Sequence, residues 1–194
     1  MTDAGRESEP DFEAMYRADP DPWRVESSWY ERRKLAVLLA SLPREHYRRA
    51  WEPGSGPGVT SQGLAARVDD LVASDGSPTA LELAGRRAGM PSHVRFLRSQ
   101  LPAVPLCAAV DLVVVAEVLY YLPDLPAALD AVWSACEPAA HVVFVHWTHH
   151  PHDGFTSGRE LHTQIGLDCR RRGAAHLVGH VDRDFVLDVY ERTP

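Results

Sequence analysis

Glu52, Gly54, Gly56, Gly58 and Asp75 are the residues whose types and spacing point most directly to chemistry. The stretch "WEPGSGPGVT" sets three glycines at alternate positions, with a carboxylate two residues ahead of the first. Glycine lets a backbone approach a ligand closely and take positive φ values closed to bulkier residues. A dinucleotide fingerprint is spaced G-x-G-x-x-G, whereas this loop reads G-x-G-x-G. A carboxylate beside the loop repels a diphosphate and favours a ligand with a positive amino or sulfonium group. Asp75 closes the next apolar run, where an acid can accept hydrogen bonds from both hydroxyls of a ribose. Together the two acids ask for a nucleoside with a cationic tail.

The flanking sequence supplies the elements that must hold these groups. Residues 47–51 read as a first strand leading into the glycines, and residues 60–68 as a helix capped by Thr60 or Ser61. Residues 70–75 form a second strand. A helix follows from the N-cap Ser77, with Pro78 at its first position and Gly89 after its end. Residues 93–97 form a third strand, and the apolar run at 110–117 a fourth, of the kind buried on both faces of a parallel sheet. A helix over 125–136, a strand over 141–147 and a helix within 157–173 come next. Two closing strands, 174–181 and 184–192, suit an antiparallel edge pair. The alternation predicts a doubly wound, mostly parallel seven-stranded α/β sheet with right-handed crossovers. Ligands bind such sheets beyond the carboxyl ends of the strands, where strand order reverses. S-adenosylmethionine has the form that the two acids select there.

The passages "EPGSGPG", "LVASDGSPTALELAGRR" and "VDLVVVAEVLYYLPDLPAALDAV" resemble the class I S-adenosylmethionine-dependent methyltransferases, which have a Rossmann-like fold. The flanks "DPDPWRVESSWYERRK", "AEVLYYL" and "HWTHHPHDGFTSGRELH" are similar to the nodulation protein S (NodS-like) N-methyltransferases. The resemblance implies S-adenosylmethionine as co-substrate and a small-molecule acceptor, with an amine favoured. It implies that Gly54, Ser55 and Gly56 face the methionine part of the cofactor, with Glu52 near its amino group. Asp75 would hold the ribose, with Gly76 and Ser77 beside the adenine. After the third strand the family carries an acid or amide; here the residues are Ser99, Gln100 and Leu101, and Gln100 is the candidate. Ala116 and Glu117 would lie near the sulfonium, and an N-terminal helical lid would use Trp23, Trp29, Tyr30 or Arg33. On the acceptor side His146 is the first candidate proton acceptor and Glu117 the second, with Tyr121 lining the pocket or packing the following helix.

Composition narrows the remaining choices. A chain of 194 residues, 45% hydrophobic, suits one domain with a sizeable core. The expected organisation is a disordered stretch at 1–10, a helical cap over 11–46 and the cofactor-binding core over 47–194. A net charge of −7 argues against nucleic-acid binding. No apolar run is long enough to span a bilayer. Three scattered cysteines and no targeting segment predict reduced thiols in the cytoplasm. The histidines between His146 and His162 match no common metal-ligand spacing, and no metal is expected. Two other readings stay open: a cofactor-binding partner protein of weak turnover, and a nicotinamide-dependent reductase.

Overall fold

The computed structural model describes residues 10–193, so the disorder expected over 1–10 falls, but for Pro10, outside the described residues. Seven strands are present among them: β1 (Tyr47–Pro53), β2 (Val68–Asp75), β3 (Val94–Arg98), β4 (Val110–Ala116), β5 (Cys136–Trp147), β6 (Ala175–Val181) and β7 (Phe185–Glu191). They form one sheet in the order β3-β2-β1-β4-β5-β7-β6. The first five are parallel; β7 runs antiparallel to β5, and β6 antiparallel to β7. The order reverses between β1 and β4, which opens a crevice above their carboxyl ends.

The helices are α1 (Phe12–Ala18), α2 (Trp29–Ser41), α3 (Val59–Leu64), α4 (Pro78–Gly85), α5 (Leu125–Ala135) and α6 (Gly158–Arg171). Successive side chains of β4 point to opposite faces, and both faces are covered. Val113 and Val115 pack with Leu129, Val132, Leu161 and Ile165 of α5 and α6. Leu112 and Val114 pack with Leu38 of α2, with Leu42 at its C-cap and with Leu64 of α3. The sheet therefore relies on α2 for one of its covering layers, while α1 lies nearer the strand ends and contacts α4.

Local chemistry explains most boundaries. Ser77 caps α4 by accepting the Ala80 N–H at 3.0 Å, and Ser157 caps α6 in a reciprocal box with Glu160. Three expectations shift. No hydroxyl caps α3: Gly58, at φ +78°, holds its N-cap position with no side-chain bond. α4 stops at Gly85, because Arg86 bonds back to the Glu82 and Leu83 carbonyls and the chain then turns through Gly89. β5 starts at Cys136 rather than 141. Its first residues pair through a bulge between Val110 and Leu112, with Ala139 in the left-handed region at φ +60°.

β1 and β4 share only two paired positions, so their junction needs further support. Asp111, 3% exposed, supplies it by accepting the Arg48 N–H at 3.0 Å and the Arg49 N–H at 2.9 Å. Asp111→Ala would leave both donors without this acceptor and is expected to lower the unfolding free energy by about 2–4 kcal/mol. Urea denaturation checks this; an unchanged midpoint would show that the junction does not depend on the carboxylate.

Candidate functional site: an acid-lined cavity at the strand ends

A cavity of about 800 Å³ lies above the reversal point, large within the roughly 300–1,000 Å³ range of small-molecule sites. Its floor is the glycine loop and the ends of β2, β3 and β4, and its cover comes from α1, α2 and the segment between them. Among the described residues seven with carboxyl groups line it: Asp11, Glu13, Glu31, Glu52, Asp75, Glu117 and Asp153. Among them too, Lys34 is its one lining lysine, and no arginine lines it.

The loop needs its glycines. A Cβ on Gly54, at φ +69°, would stand 2.1 Å from Val118 Cγ2, and one on Gly56, at φ +52°, would stand 2.7 Å from the Tyr16 hydroxyl. Both the conformation and the close approach exclude a side chain. Between them the Ser55 hydroxyl is buried without a hydrogen-bond partner, an orphaned polar atom in the wall of the cavity.

The three carboxyl groups at the strand ends are held in different ways. Glu52 is 2% exposed and accepts the Ser61 hydroxyl at 2.5 Å. Burial pushes its pKa up to about 8, Ser61 draws it back in part, and nearby Asp75 adds to the rise. Asp75 accepts the Gly56 N–H at 2.9 Å and the Ser77 N–H at 2.8 Å, so it ties the glycine loop to the start of α4. Burial nevertheless keeps its pKa above the ordinary carboxylate value.

Glu117 follows β4 at φ +57°, a left-handed conformation rare for a residue with a side chain. Four donors fix its carboxylate: Lys34 Nζ at 2.5 Å, the Trp147 N–H at 2.9 Å, the Tyr30 hydroxyl at 3.3 Å, and the Tyr120 hydroxyl. Lys34 also bonds Glu31 at 2.9 Å. Burial disfavours the lysine's charge, but Glu117 and Glu31 outweigh it and raise its pKa. The result is a buried, charge-assisted tie between α2 and the end of β4.

Of the residues expected at the site, Glu52, Gly54, Ser55, Gly56, Asp75, Gly76, Ser77, Gln100, Leu101, Ala116, Glu117 and Tyr121 all line this one cavity. Trp29, Arg33 and His146 do not. Trp29 is 70% exposed. Arg33 points to the β6–β7 turn, where it pairs with Asp182 and lies over the Phe185 ring. Positions four apart on a helix share a face; Trp29 and Arg33 share the wrong one, and Tyr30 and Lys34 the right one. His146 is fully buried behind Tyr120, bonded to His162 and to the Leu119 N–H. Burial, with His162 and Lys34 nearby, holds its imidazole well below the usual pKa.

Sequence reasoning missed Lys34, although it is the only lysine in the chain, a signal that was there to be read. It also missed Glu13, which accepts the Ser77 hydroxyl at 2.6 Å and the Thr79 hydroxyl at 2.8 Å, so that α1 is fastened to the start of α4. Tyr16 and Asp153 were missed as well. Among the described residues no group of His, Cys, Asp and Glu side chains could hold a metal ion, and no helix is long and apolar enough to cross a membrane.

The sequence and the fold have counterparts among known proteins. The nodulation protein S (NodS) family profile matches residues 12–147. Nodulation protein S of Rhizobium tropici is 34% identical over 131 residues, which are 66% of this chain and 55% of that protein. The chain thus matches little more than half the length of that relative. The fold is that of the N-methyltransferase NodS from Bradyrhizobium japonicum WM9, crystallised with S-adenosyl-L-homocysteine. There the TM-score is 0.76 and the identity 24%, over 92% of this chain and 96% of that one. A DhpI–S-adenosylhomocysteine complex aligns with TM-score 0.73 and 25% identity, over 92% of each chain. With the profile covering well over half of its residues, the chain belongs to the nodulation protein S family.

Proposed function

We propose that this protein transfers the methyl group of S-adenosylmethionine to an amine on a small molecule. The observation that carries the reading is the acid lining. A cavity with seven carboxyl residues and a single, already neutralised lysine suits a cationic nucleoside and an amine, and opposes a diphosphate. NodS and DhpI, which share the fold, have been crystallised with S-adenosylhomocysteine.

The residues present fit the cofactor. Glu52 would face its amino group, and the unpartnered Ser55 hydroxyl would bond its methionine end. Asp75 would take the ribose hydroxyls with the acceptor capacity that two backbone N–H bonds leave it. Gly76, Ser77 and Gln100 would border the adenine, with Ala116 near the sulfonium. When bound, the cofactor supplies a methyl carbon that is already electrophilic.

The chain's own task is to place the amine in line, to exclude water and to take a proton. The 11–46 segment acts as the cap: Trp23 packs edge-on to Tyr16 and tilted against Phe12, and all three line the cavity. Glu117, not His146, takes the acceptor's proton. Its carboxylate lines the cavity, while the imidazole stands behind Tyr120. The Tyr30 bond, at 3.3 Å, is the longest of the four on Glu117 and is the one an amine would replace. Tyr121 walls the acceptor side, held edge-on by Phe12 at 5.1 Å. An amino sugar or natural-product intermediate fits the acid lining and the room beyond the cofactor residues.

Transfer of a labelled methyl group from S-adenosylmethionine to glucosamine and a panel of primary amines tests the reaction. Methylation of at least one amine is expected, and of no hydroxyl-only analogue. Glu117→Gln should cut that turnover at least ~100-fold and leave S-adenosylhomocysteine affinity within about threefold; equal loss of both would make Glu117 a binding group instead. Asp75→Ala should weaken S-adenosylhomocysteine binding by about 1.5–3 kcal/mol; unchanged affinity in the folded variant would remove the ribose assignment. Burial holds the Glu52 pKa at about 8 in the free protein, and the arriving ammonium should lower it. Binding at neutral pH should therefore release protons, and affinity should rise between pH 6 and 8 and then level off. Calorimetry in phosphate and in Tris measures the release; Glu52→Gln should abolish it, and release unaltered in that variant would contradict the assignment.

A further inference from the structure

We infer that His162 and Asp188 are positioning residues for the cavity: they fix the tautomer of His146 and, through it, the turn that carries Tyr120 and Tyr121. Neither residue lines the cavity, and they come from α6 and β7.

Four side chains form an unbroken row behind the acceptor wall. His176, half exposed on β6, meets Asp188 Oδ1 at 2.6 Å. Asp188 Oδ2 lies 2.6 Å from His162 Nδ1, and His162 Nε2 lies 3.0 Å from His146 Nδ1. At the far end His146 Nε2 lies 3.4 Å from the Leu119 backbone nitrogen, at the first residue of the Leu119–Tyr121 turn.

The proton positions follow from which groups can only donate and which can only accept. The Leu119 N–H must donate, so His146 Nε2 carries no proton. A neutral imidazole then has its proton on Nδ1, and that N–H donates to His162 Nε2. His162 is left with its proton on Nδ1, aimed at a carboxylate that can only accept. Burial opposes the charge on Asp188, but hydrogen bonds from His162 and His176 outweigh it and keep its carboxyl below the usual range. The fully buried His146 stays neutral, as this arrangement needs. Without His162, the His146 proton reverts to Nε2, the site that an isolated imidazole favours, and two donors face each other at Leu119. The turn would then shift, and with it the Tyr120 hydroxyl on Glu117 and the Tyr121 wall.

The inference rests on the methyl-transfer reading only in treating the cavity as catalytic; the tautomers can be read with no ligand present. Two-bond ¹H–¹⁵N correlation spectra of the full chain, labelled on histidine, should show His146 and His162 both protonated on Nδ1. In His162→Leu the His146 proton should move to Nε2, and the Leu119 amide and the Tyr120 and Tyr121 ring signals should shift. His162→Gln offers an acceptor to His146 and a donor to Asp188, and should restore the wild-type pattern. An Nε2-protonated His146 in the wild type overturns the inference, whether or not the leucine variant folds. So do unmoved Leu119 and tyrosine signals in a folded His162→Leu. Failure of the wild type to bind S-adenosylhomocysteine would sink the methyl-transfer reading and leave the tautomer result untouched.

Discussion

A carboxyl group withdrawn from water must be neutralised, paired with a cation or surrounded by donors. Two such groups, Glu52 and Asp75, and a partly buried third, Glu117, stand at the ends of neighbouring strands here, and the site is organised by the way each meets that demand. Glu52 rises in pKa and leans on Ser61. Asp75 draws in backbone N–H groups from both sides of the crevice, which shapes the glycine loop. Glu117 recruits a lysine, two tyrosines and a backbone N–H. Each solution leaves negative potential or spare acceptor capacity facing the cavity, which is what a cationic nucleoside and an amine require.

Glu117 and two further carboxylates hold the cover down. Lys34 reaches from α2 to Glu117, Glu13 reaches from α1 to the start of α4, and Arg33 pairs with Asp182 beyond the sheet. α2 cannot behave as a simple lid, because Leu38 and Leu42 are part of the core on one face of the sheet. α1 contributes less to the core: it is a seven-residue helix with one buried side chain, Tyr16. The cover of the cavity and the fold are thus joined through a single helix, α2.

Much of this was legible in the sequence where local rules decide. The continuous apolar run of β4 announced a central parallel strand, and Ser77 with Pro78 announced the start of α4. Glu52, the glycines and Asp75 were legible because their places follow from strand ends and loop spacing alone. The face of α2 was not. That helix meets apolar, charged and aromatic neighbours around its circumference, so a choice between Trp29–Arg33 and Tyr30–Lys34 depends on where Glu117 and Asp182 fall in space. The burial of His146 was not legible either. Its position near the end of β5 suggested a group facing the acceptor, but it is fully buried and meets His162, 16 residues along the chain, which in turn meets Asp188. The early start of β5 was hidden because "CEPAA" has little strand character and pairs only through a bulge.

The central claim is electrostatic: an acid-lined crevice selects a cationic nucleoside over a diphosphate-bearing one. Equilibrium dialysis of the full chain against S-adenosylhomocysteine and NADH, at matched concentrations and neutral pH, tests it most directly. The account predicts saturable retention of S-adenosylhomocysteine and none of NADH. Retention of NADH that S-adenosylhomocysteine fails to displace would contradict it.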